Sequence, residues 1–206
     1  MQWHFINPKA GLSVEVTQNS VIYYSIGSTG REPTRNDIFG GNDDLLADSL
    51  GNAIVSIKTP EYVVNQELGF RHQSSKLNLN LNLYYMDFKN EIVLDGKFGP
   101  NGLALTNKVE QSFRTGVELS VTYKVNKSFS LINNSSFNYS RIKEQKEVFN
   151  PILTPALIIN QEAVYFYEGF SVAVSVRYQD KSFIDFANTS AVKNYFLLNG
   201  RVAYDI

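Results

Sequence analysis

The chain has 206 residues, 43% of them hydrophobic and 13% aromatic, with 19 basic side chains against 20 acidic ones and no cysteine. A net charge of −1 and a pI near 6.1 leave no basic stripe for nucleic acid, and the absence of thiols excludes disulfides, cysteine-based zinc sites and thiol nucleophiles. Mean hydropathy is −0.20 and no apolar run approaches the ~18 residues of a membrane helix, so helical crossing is excluded while crossing by strands stays open.

Alternation predicts nine strands, at 8–17, 21–28, 62–72, 76–90, 113–125, 128–141, 157–168, 169–181 and 194–206. The clearest is the fourth. Leu77, Leu79, Leu81, Leu83 and Tyr85 fall on one face and Asn78, Asn80, Asn82 and Tyr84 on the other, because strand side chains point to opposite faces with period two. Soluble strands average about 5–6 residues, whereas a tilted strand crossing a bilayer needs about 9–11. Residues 113–125 repeat the pattern, with Thr115, Val117, Leu119, Val121 and Tyr123 against Arg114, Gly116, Glu118, Ser120 and Thr122. So do 170–179, with Phe170, Val172, Val174, Val176 and Tyr178 against a row containing Arg177, and 195–206, with Phe196, Leu198, Val202 and Tyr204 against a row containing Arg201. A soluble sheet would bury the apolar rows as core. A membrane barrel would turn them to lipid and the charged rows to a wet lumen.

The connections discriminate between the two. Short junctions at Gln18-Asn19-Ser20, Gln73-Ser74-Ser75, Asn126-Lys127 and Glu168-Gly169 alternate with long polar connections at about 29–61, 91–112, 142–156 and 182–193. Tight turns at one rim and long loops at the other are the pattern of an outer-membrane barrel, and a soluble meander has no reason to sort its loops this way. The expected fold is therefore all-β, an antiparallel up-and-down transmembrane β-barrel in partial form. Nine strands are an odd number, and simple antiparallel closure needs an even one, so the meander is expected to be incomplete. The N-terminal Met1-Gln2-Trp3-His4 stretch lacks the basic and apolar regions of a signal peptide. The twelve Tyr and fourteen Phe favour strand ends, as interfacial girdles do, although aromatics are enriched in any strand.

Residues able to carry chemistry are few. His4 and His72 have no spaced partner and read as bystanders rather than metal ligands. Asp43, Asp44 and Asp48, beside Gly40 and Gly41, offer hard oxygen ligands for calcium. They lack the Asp-x-Asp-x-Asp-Gly plus Glu register, which favours a solvated acidic loop. No nucleophile elbow, phosphate loop or triad spacing is present, so no catalytic residue, metal or cofactor is expected. Glu67, Arg71, Arg114, Glu118, Arg177 and Arg201 belong to the polar rows. They are expected to line the lumen, pairing across strands or standing as solvated wall.

Phe5-Ile6-Asn7-Pro8-Lys9-Ala10-Gly11-Leu12, Tyr23-Tyr24-Ser25 running into Gly30-Arg31-Glu32-Pro33-Thr34-Arg35-Asn36-Asp37, Asn65-Gln66-Glu67-Leu68-Gly69-Phe70, and Leu83-Tyr84-Tyr85-Met86-Asp87-Phe88-Lys89-Asn90 together resemble the C-terminal barrel half of a TonB-dependent outer-membrane receptor. The resemblance covers nearly the whole of 1–206 as one truncated barrel domain and is strongest over 5–120. It implies a bacterial outer-membrane location and energised uptake of an extracellular small-molecule ligand such as an iron–siderophore complex. The implied partners are outer-membrane lipid, a plug domain and TonB. Plug, TonB box, final hairpin and terminal aromatic are not seen in the sequence. In the family the rim of the longest loop faces arriving ligand, which makes Arg31, Arg35, Asn36 and Asp37 the candidate ligand-binding residues. A passive porin-like barrel and a soluble carbohydrate-binding β-domain are the alternative readings.

Overall fold

The computed structural model describes residues 1–144 and 147–205. In chain order the elements are β1 (Lys9–Thr17), β2 (Ser20–Arg31), a one-turn helix α1 (Arg35–Phe39), β3 (Glu61–Gln73), β4 (Leu77–Phe98), β5 (Ala104–Lys124), β6 (Phe129–Glu144), β7 (Glu147–Phe149), β8 (Leu157–Tyr167), β9 (Phe170–Gln179), the short β10 (Ser182–Phe183) and β11 (Ala191–Val192), and β12 (Tyr195–Tyr204). One antiparallel sheet runs β1-β2-β3-β4-β5-β6-β8-β9-β12, with β7 folded back on β6 and β10 paired with β11 apart from it. The nine strands of that path are the nine expected from alternation. The sheet is open, with β1 and β12 as its edges.

Tight turns join β1 to β2, β3 to β4, β5 to β6 and β8 to β9, so all four lie at one end. The last is a two-residue turn in which Glu168 (φ 46°) and Gly169 (φ 81°) are both left-handed, the geometry whose twist matches that of the flanking strands. At the other end one expectation is corrected. Residues 91–112 are not a long polar connection: β4 and β5 continue as a paired ladder to Phe98 and from Ala104, leaving only 99–103 as the tip. The residues there are mostly polar, so the apolar alternation fades although the backbone pairing persists.

Register keeps each row on one face across the whole sheet. Val14, Ile22, Phe70, Leu81, Leu119, Ser135, Ile159, Tyr178 and Phe196 are successive cross-strand partners. On the opposite face Arg71, Asn80, Ser120, Asn134, Asn160 and Arg177 form an equally continuous polar row. Among the described residues nothing packs on the apolar face. Leu68, Leu83, Phe137 and Val174, all on interior strands, are 42–51% exposed, where a soluble sheet would bury them. Buried hydrophobic residues gather instead at the long-loop end, around Val93, Val109 and Ile142 with Phe149 and Phe186 against them.

Candidate functional site: the polar face and the loop end

The polar face is a hydrogen-bonded wall. Tyr23 lies across Gly69, where a Cβ would stand 1.9 Å from the ring. Its hydroxyl donates to Asn82 (3.4 Å) and its ring carries the Arg71 guanidinium 5.9 Å from the centroid. Asn82 donates to Glu118 (3.5 Å), Ser120 donates to Asn134, and Arg177 donates to Asn160 (3.1 Å) and Gln179 (3.2 Å). Asn65 donates to Glu67 (2.7 Å). Arg201 pairs with Glu162 at 3.4 Å. Among the described residues no ion pair joins any two of Glu67, Arg71, Arg114, Glu118, Arg177 and Arg201. Their charges are met by amides and rings, or by the carboxylates Glu91 and Glu162.

Glu91 could not be foreseen from strand parity. It is buried, pairs with Arg114 at 2.5 Å and accepts from the Ser112 hydroxyl, while the Arg114 guanidinium sits 4.5 Å over the Phe88 ring. The left-handed Asn90 (φ 54°) breaks the alternation immediately before Glu91, at the point where the chain leaves the regular wall.

At the loop end the four candidate ligand residues do not form one cluster. Arg31 pairs with Glu61 at 3.3 Å, and the other Glu61 contact, from the Ile92 N–H (2.7 Å), ties this neck to β4. Asp37 is buried and closes a capping box with Thr34: its carboxylate accepts from the Thr34 N–H (2.8 Å) and hydroxyl (2.7 Å), and also from the Thr106 hydroxyl of β5. Asn36 donates to the Ala104 carbonyl (2.9 Å) and accepts from Asn101 (3.2 Å). Arg35 stacks over Phe39 (4.9 Å) and donates to the Asp43 carbonyl. Arg35 and Asn36 border an open depression of about 360 Å³, together with Asn42, Asp43, Asp44 and Asn101. The short Thr34-x-x-Asp37 cap was the available signal for α1.

The remaining connections lock onto the β4–β5 ladder. Phe186 N–H donates to the Asp95 carbonyl (3.3 Å), and Leu153 N–H to the Phe183 carbonyl (2.8 Å). Asn150 and Asn188 exchange hydrogen bonds, N–H to Oδ1 at 2.7 Å and Nδ2 to carbonyl at 3.0 Å. Asp48 spends its carboxylate on the Asn52 side chain and on the Asn52 and Leu50 N–H groups. These bonds hold it below the usual carboxylate range, the Asn52 side chain contributing most. The Asp185 carboxylate is lowered in the same way, first by the Thr189 N–H and also by Ser190. His72 meets the Ser20 hydroxyl through Nδ1 at 2.9 Å. Among the described residues no group of three or more His, Cys, Asp or Glu is placed to hold a metal.

Against known proteins, the model of the family described as "TonB dependent receptor-like, beta-barrel" matches residues 1–206. The chain belongs to the TonB-dependent receptor β-barrel family. Solved structures agree on the fold of this receptor barrel. Copper transporter OprC superposes with a TM-score of 0.77 at 14% identity, over 96% of this chain and 31% of that one. The ferric yersiniabactin uptake receptor FyuA from Yersinia pestis gives 0.72 at 14%, over 95% and 29%. The ferric-catecholate import receptor Fiu from K12 E. coli gives 0.69 at 21%, over 96% and 28%. The receptor barrel thus spans about three tenths of the length of these transport proteins. No curated protein sequence matches it.

Proposed function

We propose that the receptor barrel forms part of the wall of a bacterial outer-membrane receptor that takes up a scarce extracellular ligand, an iron chelate or another scarce nutrient, in a TonB-dependent way. The observation that carries this reading is the two-faced sheet: an uncovered apolar face on interior strands, backed by a continuous hydrogen-bonded polar face. Unpaired backbone groups cost several kcal/mol each in hydrocarbon, so only a paired wall of this kind suits lipid. In this reading the apolar rows meet lipid, and the rows carrying Glu67, Arg71, Arg114, Glu118, Arg177 and Arg201 face the lumen and the plug of the whole receptor. The loop end faces outward. Of the candidate ligand residues, Arg35 and Asn36 border the open depression and would meet ligand first, while Arg31 and Asp37 would hold the loop that presents them. No chemical step is assigned to any residue.

The test is uptake by cells expressing the full-length receptor, offered radiolabelled iron as catecholate, hydroxamate and citrate chelates, and copper salts in parallel. Accumulation of one substrate that disappears when TonB is deleted, with surface binding retained, is expected. Accumulation indifferent to TonB would instead make the barrel a passive pore.

A further inference from the structure

Across β3 to β6 the apolar face is not flat. Leu83, Tyr85, Thr115, Val117, Phe137 and Tyr139 line an open groove of about 410 Å³, in the range of small-molecule sites. It exists because the short Thr115 and Val117 of β5 stand between larger neighbours, Tyr85 and Leu83 on β4 and Tyr139 and Phe137 on β6. Along its upper edge the rings form a chain: Tyr85 to Phe113 at 6.2 Å and Phe113 to Tyr139 at 6.0 Å between centroids.

Above those rings, on the same face, stand cations held in place. The Arg141 guanidinium lies 4.0 Å over Tyr139 and the Lys143 ammonium 5.8 Å over Phe113. The described hydrogen bonds of Arg141 engage only Nη1, with the Ser140 carbonyl and Asn150 Oδ1. The edge formed by Nε and Nη2 is left to a two-oxygen acceptor. Lys89 is in register beside them, opposite Gln111, the cross-strand partner of Lys143. Asp87, opposite Phe113, is the carboxylate of this face. Among the described residues neither Lys89, Arg141, Lys143 nor Asp87 makes an ion pair.

An apolar groove, an aromatic edge and fixed cations in that order match one amphiphile: acyl chain, interface, anionic head. We propose that this face holds a phosphate-bearing lipid of the outer leaflet, its phosphate on Arg141 and Lys143 and an acyl chain in the groove over Thr115 and Val117. The site rests on the lipid-facing assignment made above. In the receptor proposed above, further strands would extend the wall edge to edge and a plug would occupy the opposite face, so neither would cover the groove. The lipid fixes the height of β5 and β6 in the bilayer, and with them the ladder that carries the loops.

The test uses the full-length receptor, purified in mild detergent, and native mass spectrometry with dioctanoyl phosphatidic acid, dioctanoylglycerol and inorganic phosphate as probes. Phosphatidic acid should remain bound as a single adduct that neither of the other two displaces. The double variant Arg141→Gln/Lys143→Gln should weaken it by about tenfold or more, and Thr115→Phe, which fills the groove and leaves the cations, should weaken it comparably. Heat-modifiable gel mobility identifies folded variants. Equal retention by wild type and both variants, or displacement by inorganic phosphate, would overturn the site while leaving the membrane assignment intact. A receptor that stays monodisperse in water without detergent would remove the assignment itself.

Discussion

Gly41 and Gly99 meet back to back where the first long connection touches the tip of the β4–β5 ladder. A Cβ on Gly41 would stand 2.9 Å from Gly99 Cα, and one on Gly99 2.8 Å from Gly41 Cα. The Asn101 N–H donates to the Gly41 carbonyl at 3.2 Å beside this contact. The connection leaving β2 is thereby pinned to β4 and β5 far along the chain. Gly99→Ala should force the two backbones apart at a cost of about 1–3 kcal/mol, read as faster protease cleavage within 42–56. Unchanged cleavage would show that the contact holds nothing.

Leu81 and Asn80 are adjacent in sequence and opposite in face. In the full-length receptor folded into lipid vesicles, Leu81→Arg should cost about 2–4 kcal/mol near the bilayer midplane, while Asn80→Arg, among polar neighbours, should cost far less. Equal effects in equilibrium folding titrations would contradict the assignment of faces.

Gly51 and Gly102 have open space around them and lie at the loop end, whereas Ser74 and Lys127 lie in tight turns at the other. Epitope tags inserted at the first pair should stain on intact cells, and tags at the second pair only after permeabilisation. Staining of all four without permeabilisation would defeat the orientation.

Arg114→Leu leaves Glu91 buried beside Ser112 without its cation, and should destabilise by about 3–5 kcal/mol. Adding Glu91→Leu should recover much of that, because the two apolar side chains then replace the pair together. Additive losses in the double variant would show that the ion pair is not the unit that matters.

Asp48 and Asp185 sit below the usual carboxylate range. A carboxyl whose folded pKa is depressed stabilises above its unfolded pKa, near 3.9, and that stabilisation is lost as pH falls through the lower folded value. Amide protection at Leu50, Asn52, Thr189 and Ser190, corrected for intrinsic exchange, should therefore hold at pH 6 and fall away below about pH 4. Protection flat across that range would mean these turns do not depend on the charge.

The wall was legible because its strands write two chemically different faces into alternate residues. The run from Leu77 to Met86 announces both period and length, and Glu168-Gly169 announces its turn. The loop end was legible only in outline. Polar segments such as 104–112 pair by backbone, which leaves no mark in side-chain alternation, and the cluster of Val93, Val109, Ile142, Phe149 and Phe186 joins residues from three connections with no local signature. The same holds for the site. Arg114 could be assigned to the polar face, but its partner Glu91 lies beyond the left-handed Asn90, where parity ceases to count. Asp37 read as a rim charge because the one-turn helix it caps is too short for any periodicity.

Apart from β7, which folds back on β6, each long strand of the path pairs only with its predecessor and successor along that path, and among the described residues no segment passes across the wall to rejoin it. A wall of that kind can be lengthened or shortened by whole hairpins without rethreading, since removing two consecutive strands leaves their former neighbours antiparallel and their turns at the proper ends. Gene duplication or deletion in units of one hairpin would therefore be tolerated where single-strand changes would invert every face beyond them. Such local wiring also allows assembly to advance hairpin by hairpin, with little loop-closure entropy to overcome at any step.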